Sequence, residues 1–162
     1  VYMDSACERE ILRCLVQGVL DVPLDRMMGS NVAYVSTKMG KEKGIDHFYD
    51  RRHEKVVRSD KFLGENGKSN KIFSILTEIG KAPVLAFGNS SGDSGMLEYT
   101  LQNSKYPAKA FYVLCDDVER ELGNPEKAEK GRKTALKRGW NTISMRDEFK
   151  TIYGDYVKRS VR

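Results

Sequence analysis

The stretch Phe87-Gly88-Asn89-Ser90-Ser91-Gly92-Asp93-Ser94-Gly95-Met96 decides how this chain is read. It follows the apolar run Val84-Leu85-Ala86, which reads as a buried strand. A strand ending in glycine, then an amide, a small-residue loop and a carboxylate gathers polar groups at one edge of a sheet. Ligands of open parallel sheets bind outside the carboxyl ends of the strands. Asn89 and Asp93 are expected there, on a turn too small to push them apart.

Outward from this loop, strands and helices alternate. Val1-Tyr2-Met3 reads as the tail of a strand, broken at Asp4-Ser5-Ala6. Ile11, Leu12, Leu15, Val16, Val19 and Leu20 form an apolar stripe of helical period, which predicts a helix ended by Asp21-Val22-Pro23. Arg26 to Gly29 is a short strand. Asn31 to Thr37 and Lys55 to Phe62 read as two arms of a hairpin or flap around a charged tip. Past the turn cluster Gly64-Glu65-Asn66-Gly67, Ser69 or Asn70 can cap a helix. Its Ile72, Phe73, Ile75, Leu76 and Ile79 are expected to face a core.

Gly80-Lys81-Ala82-Pro83 stops that helix and leads into the strand Val84 to Phe87. After the quoted loop, a helix turns Met96, Leu97, Thr100 and Leu101 inward. Ala110 to Leu114 is a second buried strand, ending in Asp116-Asp117. A basic helix from Glu126 to Arg138 leads to Trp140, a short strand Thr142-Ile143-Ser144 and a closing helix from Asp147 to Tyr153. Strands alternating with helices predict an α/β fold, a parallel sheet with helices on both faces. With no repeat and no low-complexity linker, one domain over 1–162 is expected, with the hairpin inserted at about 31–62.

The chain is long enough for a real core, and its 40% hydrophobic and 31% charged residues exclude wholesale disorder. No apolar run approaches the ~20 residues of a membrane span. No basic-then-apolar leader opens it, and the start at Val1, inside an apparent strand, reads as a fragment lacking its N-terminal part. The three cysteines, Cys7, Cys14 and Cys115, have no metal spacing. Cys7 and Cys14, placed on one helix, would lie roughly 10 Å apart along its axis, too far for a disulfide. A reduced, cytoplasmic setting is the expectation. The net charge of +5 draws on basic residues gathered at Lys38 to Lys61 and Lys127 to Arg138. These read first as solvated surface and second as attraction for small anions. A nucleic-acid partner is not favoured, because no recognition-helix, zinc-finger or RNP-like pattern accompanies them.

Three positions share one chemistry. Ser5 follows a strand and can donate to a phosphoryl oxygen. Lys68 opens a helix, where the dipole already favours anions, with Lys71 as the competing candidate one turn later. Asn89 offers a carbonyl oxygen to Mg²⁺, an ion that takes about six oxygen ligands. Asp93 could ligate the ion through water or hold the lysine in place. His47 and His53, among Asp46 and Asp50, are read as a charged loop tip rather than a metal cluster. Asp116 and Asp117 are read as supporting or capping residues, and Cys115 as packing.

Taken together, these segments resemble the haloacid dehalogenase superfamily, in particular its phosphoserine-phosphatase-like members. The second motif of that family is similar to Val1-Tyr2-Met3-Asp4-Ser5, the third to Gly64-Glu65-Asn66-Gly67-Lys68, and the fourth to Gly88-Asn89-Ser90-Ser91-Gly92-Asp93 with Met96. The run Asp116 to Glu121, with Trp140, Met145 and Asp147, also looks like a bacterial subgroup of the family. The resemblance implies a Rossmann-like three-layer core and a Mg²⁺-dependent phosphatase acting on a small phosphorylated substrate. Ser5 and Lys68 would hold the phosphoryl oxygens, and Asn89 with Asp93 would place the metal. Two family features are missing: no Asp-x-Asp-x-Thr nucleophile segment occurs, and there is no cap between first and second motifs. Asn89 also stands where aspartate is commoner. The resemblance therefore implies that a preceding segment completes the sheet and supplies the nucleophile, and that the chain alone is inactive. The alternative reading is a degenerate phosphate- or protein-binding module without catalysis.

Overall fold

A computed structural model describes residues 1–153; residues 154–162 lie outside that range. The architecture is mixed α/β, with six strands and five α-helices among the described residues. The strands form two sheets of three rather than one continuous sheet. The chain divides into two compact units, Val1–Gly67 and Lys68 onward. Among the described residues no helix is long and apolar enough to cross a membrane.

The first unit holds β1 (Met3–Glu8), α1 (Arg9–Val16), β2 (Met27–Ser36) and β3 (Val56–Gly64). β1 runs parallel to β2, and β2 pairs antiparallel with β3. The expected break at Asp4-Ser5-Ala6 is a register irregularity between Asp4 and Glu8, after which the strand resumes. Within it Ser5 Oγ accepts the N–H of Cys7 at 3.1 Å, a local bond that competes with the ladder. Cys7 therefore lies on β1, not on a helix with Cys14. The short strand expected at Arg26 to Gly29 is continuous with the first hairpin arm. Gly29 is required where it crosses β1: a Cβ there would meet the Cys7 carbonyl oxygen at 2.6 Å.

The first helix is shorter than its apolar stripe. Gln17 leaves helical geometry, and Gly18 follows at φ +75°. Leu12 alone of the stripe is buried, while Leu15 and Val19 are exposed. The turn cluster after β3 is a tether. Asn66 Nδ2 donates to Asp4 Oδ1 at 2.6 Å and to the Ser5 carbonyl at 2.9 Å, while its N–H donates to Ser30 Oγ. Ser30 in turn donates to the Ala6 carbonyl.

The second unit holds α2 (Ser69–Glu78), β4 (Leu85–Gly88), α3 (Ser94–Leu101), β5 (Lys109–Leu114), α4 (Pro125–Arg138), β6 (Asn141–Ser144) and α5 (Met145–Glu148). Its sheet is wholly parallel, in the order β4-β5-β6. Alternate residues Ala86, Ala110, Tyr112 and Leu114 form one core with Leu97 of α3, Ala128 and Ala135 of α4, and Trp140. Both crossover helices thus lie on one face of this sheet. On the other, Phe87 stacks on Phe111 at 5.1 Å, and Leu85 and Phe87 remain about half exposed.

Local sequence explains α4. Asn124 caps its first turn, Pro125 fits the first helical position, and Gly139 terminates it at φ +73°. Ala128, Gly131 and Ala135 make a small-residue stripe on which the sheet rests; a Cβ on Gly131 would meet the Tyr112 ring at 2.6 Å. The helix's basic face is largely met by acids, as in Lys130–Glu126 and Lys133–Glu129.

Two helical expectations change. α2 starts from Lys68 with no side-chain cap, so neither Ser69 nor Asn70 caps it. Lys71 and Ile75 are its buried residues, while Phe73 and Leu76 are about half exposed. The closing helix is earlier and shorter than Asp147 to Tyr153, because Ser144 accepts the Asp147 N–H and starts α5 at Met145. Beyond α5, Arg120 takes over. Its guanidinium donates to the carbonyls of Met145, Arg146, Phe149 and Lys150, and Asp117 holds it at 2.5 Å.

Candidate functional site

The end of β4 is shaped by Gly88. A Cβ there would sit 2.5 Å from the Asp93 Cβ, so only glycine lets the strand end come this close to the carboxylate. The chain then turns through Asn89 and Ser90 into a short 3₁₀ segment, Ser91–Asp93, before α3. Ser90 and Asp93 cap one another: Ser90 Oγ accepts the Gly92 N–H, and the Asp93 carboxylate receives the Ser90 N–H.

Asp93 Oδ2 accepts the N–H groups of Asn89 and Ser90 at 2.9 and 3.0 Å and the Ser90 hydroxyl at 3.1 Å. Its Oδ1 meets the Lys71 ammonium at 3.1 Å, and that lysine is 3% exposed. Burial pushes the Asp93 carboxyl up, but the Asn89 N–H, the Lys71 charge and the Ser90 N–H outweigh it and hold it below the usual carboxylate value. An ionised acid with both oxygens engaged positions a lysine; it is poorly suited to be a base. Of the two lysines open in the sequence, Lys71 forms this pair.

Lys68 sits elsewhere. Its side chain is exposed, and its backbone adopts φ +53°, ψ −121°, conformations that a residue with a Cβ avoids. Two contacts hold it so. Its N–H donates to the Gly92 carbonyl at 2.7 Å, and Gly95 packs so close that a Cβ there would lie 2.3 Å from the Lys68 carbonyl oxygen. The candidate loop and the start of α2 are thereby fastened together through backbone, with strain stored at Lys68.

Asn89 is exposed, and its carboxamide has no hydrogen-bond partner among the described residues. It could offer one neutral oxygen to Mg²⁺. With Asp93 committed to four donors, the loop offers no free carboxylate, and no group of three or more His, Cys, Asp and Glu among the described residues could hold a metal. The described residues thus fit one position of a six-coordinate ion and not a complete site.

Ser5 belongs to the first unit, half-buried in the β1 irregularity, its Oγ accepting from Cys7. Asp116 and Asp117 are buried and structural. Asp116 accepts from Ser144 Oγ and the Arg146 N–H, and Asp117 holds Arg120. At the hairpin tip His47 bridges Glu42 at 3.1 Å and the buried Glu54 at 2.7 Å, while His53 pairs with Asp50. That tip is a carboxylate-centred turn. Ser90 and Tyr112 were missed by sequence reasoning. Ser90 was signalled by its Ser-x-x-Asp spacing, a capping-box pattern; Tyr112 was hidden in the alternation Ala110-Tyr112-Leu114.

No family model matches the chain, and no curated protein matches it.

Proposed function

We propose that the chain is the C-terminal portion of a phosphomonoester hydrolase of the haloacid dehalogenase type, with a three-layer core completed by a segment beyond these residues. The observation that carries this reading is the buried Lys71–Asp93 pair at the carboxyl end of β4, locked by the Asn89 and Ser90 amides. Phosphoryl transfer asks mainly for positioning and charge neutralisation. A lysine oriented by a fully engaged aspartate supplies a fixed positive charge of that kind. Strand β4 pairs on one side only, with Leu85 and Phe87 half exposed, and β1 likewise pairs on one side only. Open edges are costly and invite further strands, which supports a completing segment.

In this reading an aspartate of that segment attacks phosphorus, and the bond to the leaving alcohol breaks as the aspartyl-phosphate forms. Water then releases inorganic phosphate. Lys71 neutralises phosphoryl charge in both steps. Magnesium would neutralise phosphoryl oxygens when bound, with Asn89 as this chain's contribution and the remaining ligands from elsewhere.

The test is hydrolysis of an aryl phosphate by the protein together with its nucleophile-bearing segment, with and without Mg²⁺. Lys71→Ala is expected to lower kcat about 10²–10³-fold, the usual loss on removing one stabilising donor, while Lys68→Ala leaves it within about threefold. Absence of turnover with an intact nucleophile would instead favour the degenerate binding module, which the fully engaged Asp93 also suits.

A further inference from the structure

Beside the loop, the second unit contains a cavity of about 140 Å³, roughly ten times the minimum volume that admits one water. It lies past the carboxyl ends of β4 and β5 against the first turn of α4. Its walls are Asn89 and Ser90 from the loop, Tyr112 and Cys115 from β5 and its end, and Asn124 and Lys127 from α4. No carboxylate lines it.

Tyr112 is 8% exposed, yet its hydroxyl has no hydrogen-bond partner among the described residues. The ring is buried while the hydroxyl opens into the cavity, where a bound group can reach it. The ring cannot swing away, because it stacks on Trp140 at 6.1 Å and sits against Gly131. Burial and the nearby Asp93 charge raise its pKa, so at neutral pH the hydroxyl keeps its proton and is a donor. Lys127, an exposed lysine, forms no ion pair among the described residues. The Asn89 carboxamide is likewise unengaged.

We propose that this cavity binds a small oxyanion, a phosphate or carboxylate group, held by the Tyr112 hydroxyl, the Lys127 ammonium and the Asn89 amide. Three donors and one full positive charge, with no carboxylate in the walls and the nearby Asp93 paired with Lys71, define that class of ligand. The site does not depend on hydrolysis, and it is separate from the Lys71–Asp93 pair, neither member of which lines it.

Cys115 reports occupancy directly. Its rate of alkylation by iodoacetamide, read by peptide mass, is followed while inorganic phosphate or acetate is titrated without Mg²⁺. Saturable protection is expected, and the anion giving the tighter curve identifies the group. Tyr112→Phe keeps the ring and its packing, and Lys127→Met keeps the side-chain length; each is expected to weaken protection about tenfold or more. Protection that survives both variants, or no protection by either anion, overturns the site. Protection abolished by Lys71→Met but unchanged in Tyr112→Phe would place the anion at the Lys71–Asp93 pair, overturning this proposal while leaving the phosphatase reading intact.

Discussion

Two of the buried carboxylates, one in each unit, are wired differently. Asp93 in the second unit is held by two loop amides, a hydroxyl and the ammonium of Lys71. Glu54 in the first unit is held by the Asp50 N–H, the Ser36 hydroxyl and the imidazole of His47. One acid leans on a lysine ammonium, the other on an imidazole, the side chain whose ordinary charge change falls between pH 5 and 8. One is reached through a helix and a strand; the other closes a hairpin tip from residues no more than 18 positions away. The contrast suggests that the first is a fixed charge arrangement and the second a conditional one.

The sharpest break of that contrast is Lys71→Met. It leaves a buried carboxylate without its counter-ion, and such losses cost about 3–5 kcal/mol. Denaturant melts of the protein should show it, with Lys71→Met/Asp93→Asn recovering much of the loss. A loss below about 1 kcal/mol would mean that the pair is solvated and the contrast false. Acid sharpens the same point. The folded Asp93 pKa is depressed, so its contribution is full above the ordinary carboxylate value and fades only as pH falls through the lowered one. The pair should therefore persist to below about pH 4, read from the Asp93 carboxyl resonance.

A smaller effect of opposite sign is expected at Lys68. Lys68→Gly relieves a backbone strain of about 1–3 kcal/mol and adds about 0.5–1 kcal/mol of chain entropy cost. A net gain of about 1 kcal/mol in a chemical melt would show that the loop, and not the lysine side chain, dictates that conformation. Destabilisation would show that the side chain matters after all.

The smallest effect is local and belongs to the hairpin. Hydrogen bonds donated to Glu54 and Glu42 hold the His47 pKa above its ordinary value. Its contribution is full below the unfolded pKa of about 6.5 and is lost as pH rises through the raised one. Tryptic cleavage after Arg51 and Arg52, corrected for the enzyme's own pH profile, should accelerate severalfold between pH 6 and pH 9. Equal rates would make the tip as fixed as the loop.

How much of this was legible depended on whether a pattern had one physical cause. The strands at Val84, Ala110 and Thr142 and the helix with Leu97 and Thr100 follow from apolar periodicity and turn residues, and lie where expected within a residue or two. The helix after β1 is shorter than its stripe because Val19 and Leu20 continue the apolar pattern past Gln17 and Gly18, where the element ends. Periodicity records what could be buried, not where the backbone turns away. The choice between Lys68 and Lys71 had a signal that went unused. Lys71 stands four residues before Ile75, so both share one helix face, and a lysine on an apolar face needs an acid. Gathering the strands into two sheets left no mark on any single segment, since pairing depends on partners far away in sequence. The Tyr112 cavity was equally silent, because an aromatic residue in a core strand looks the same with or without a bonded hydroxyl.

Arg120 has a consequence for which changes the C-terminal region can absorb. Its guanidinium reads backbone carbonyls at Met145, Arg146, Phe149 and Lys150, never their side chains. Drift in the identities of those residues should therefore go almost unnoticed, whereas a one-residue insertion or deletion among them would displace several acceptors together. Lysine could not stand in, since a single ammonium has three hydrogens and no planar fork. The segment is anchored by spacing and not by composition, and its variation between related chains should appear as free substitution at constant length.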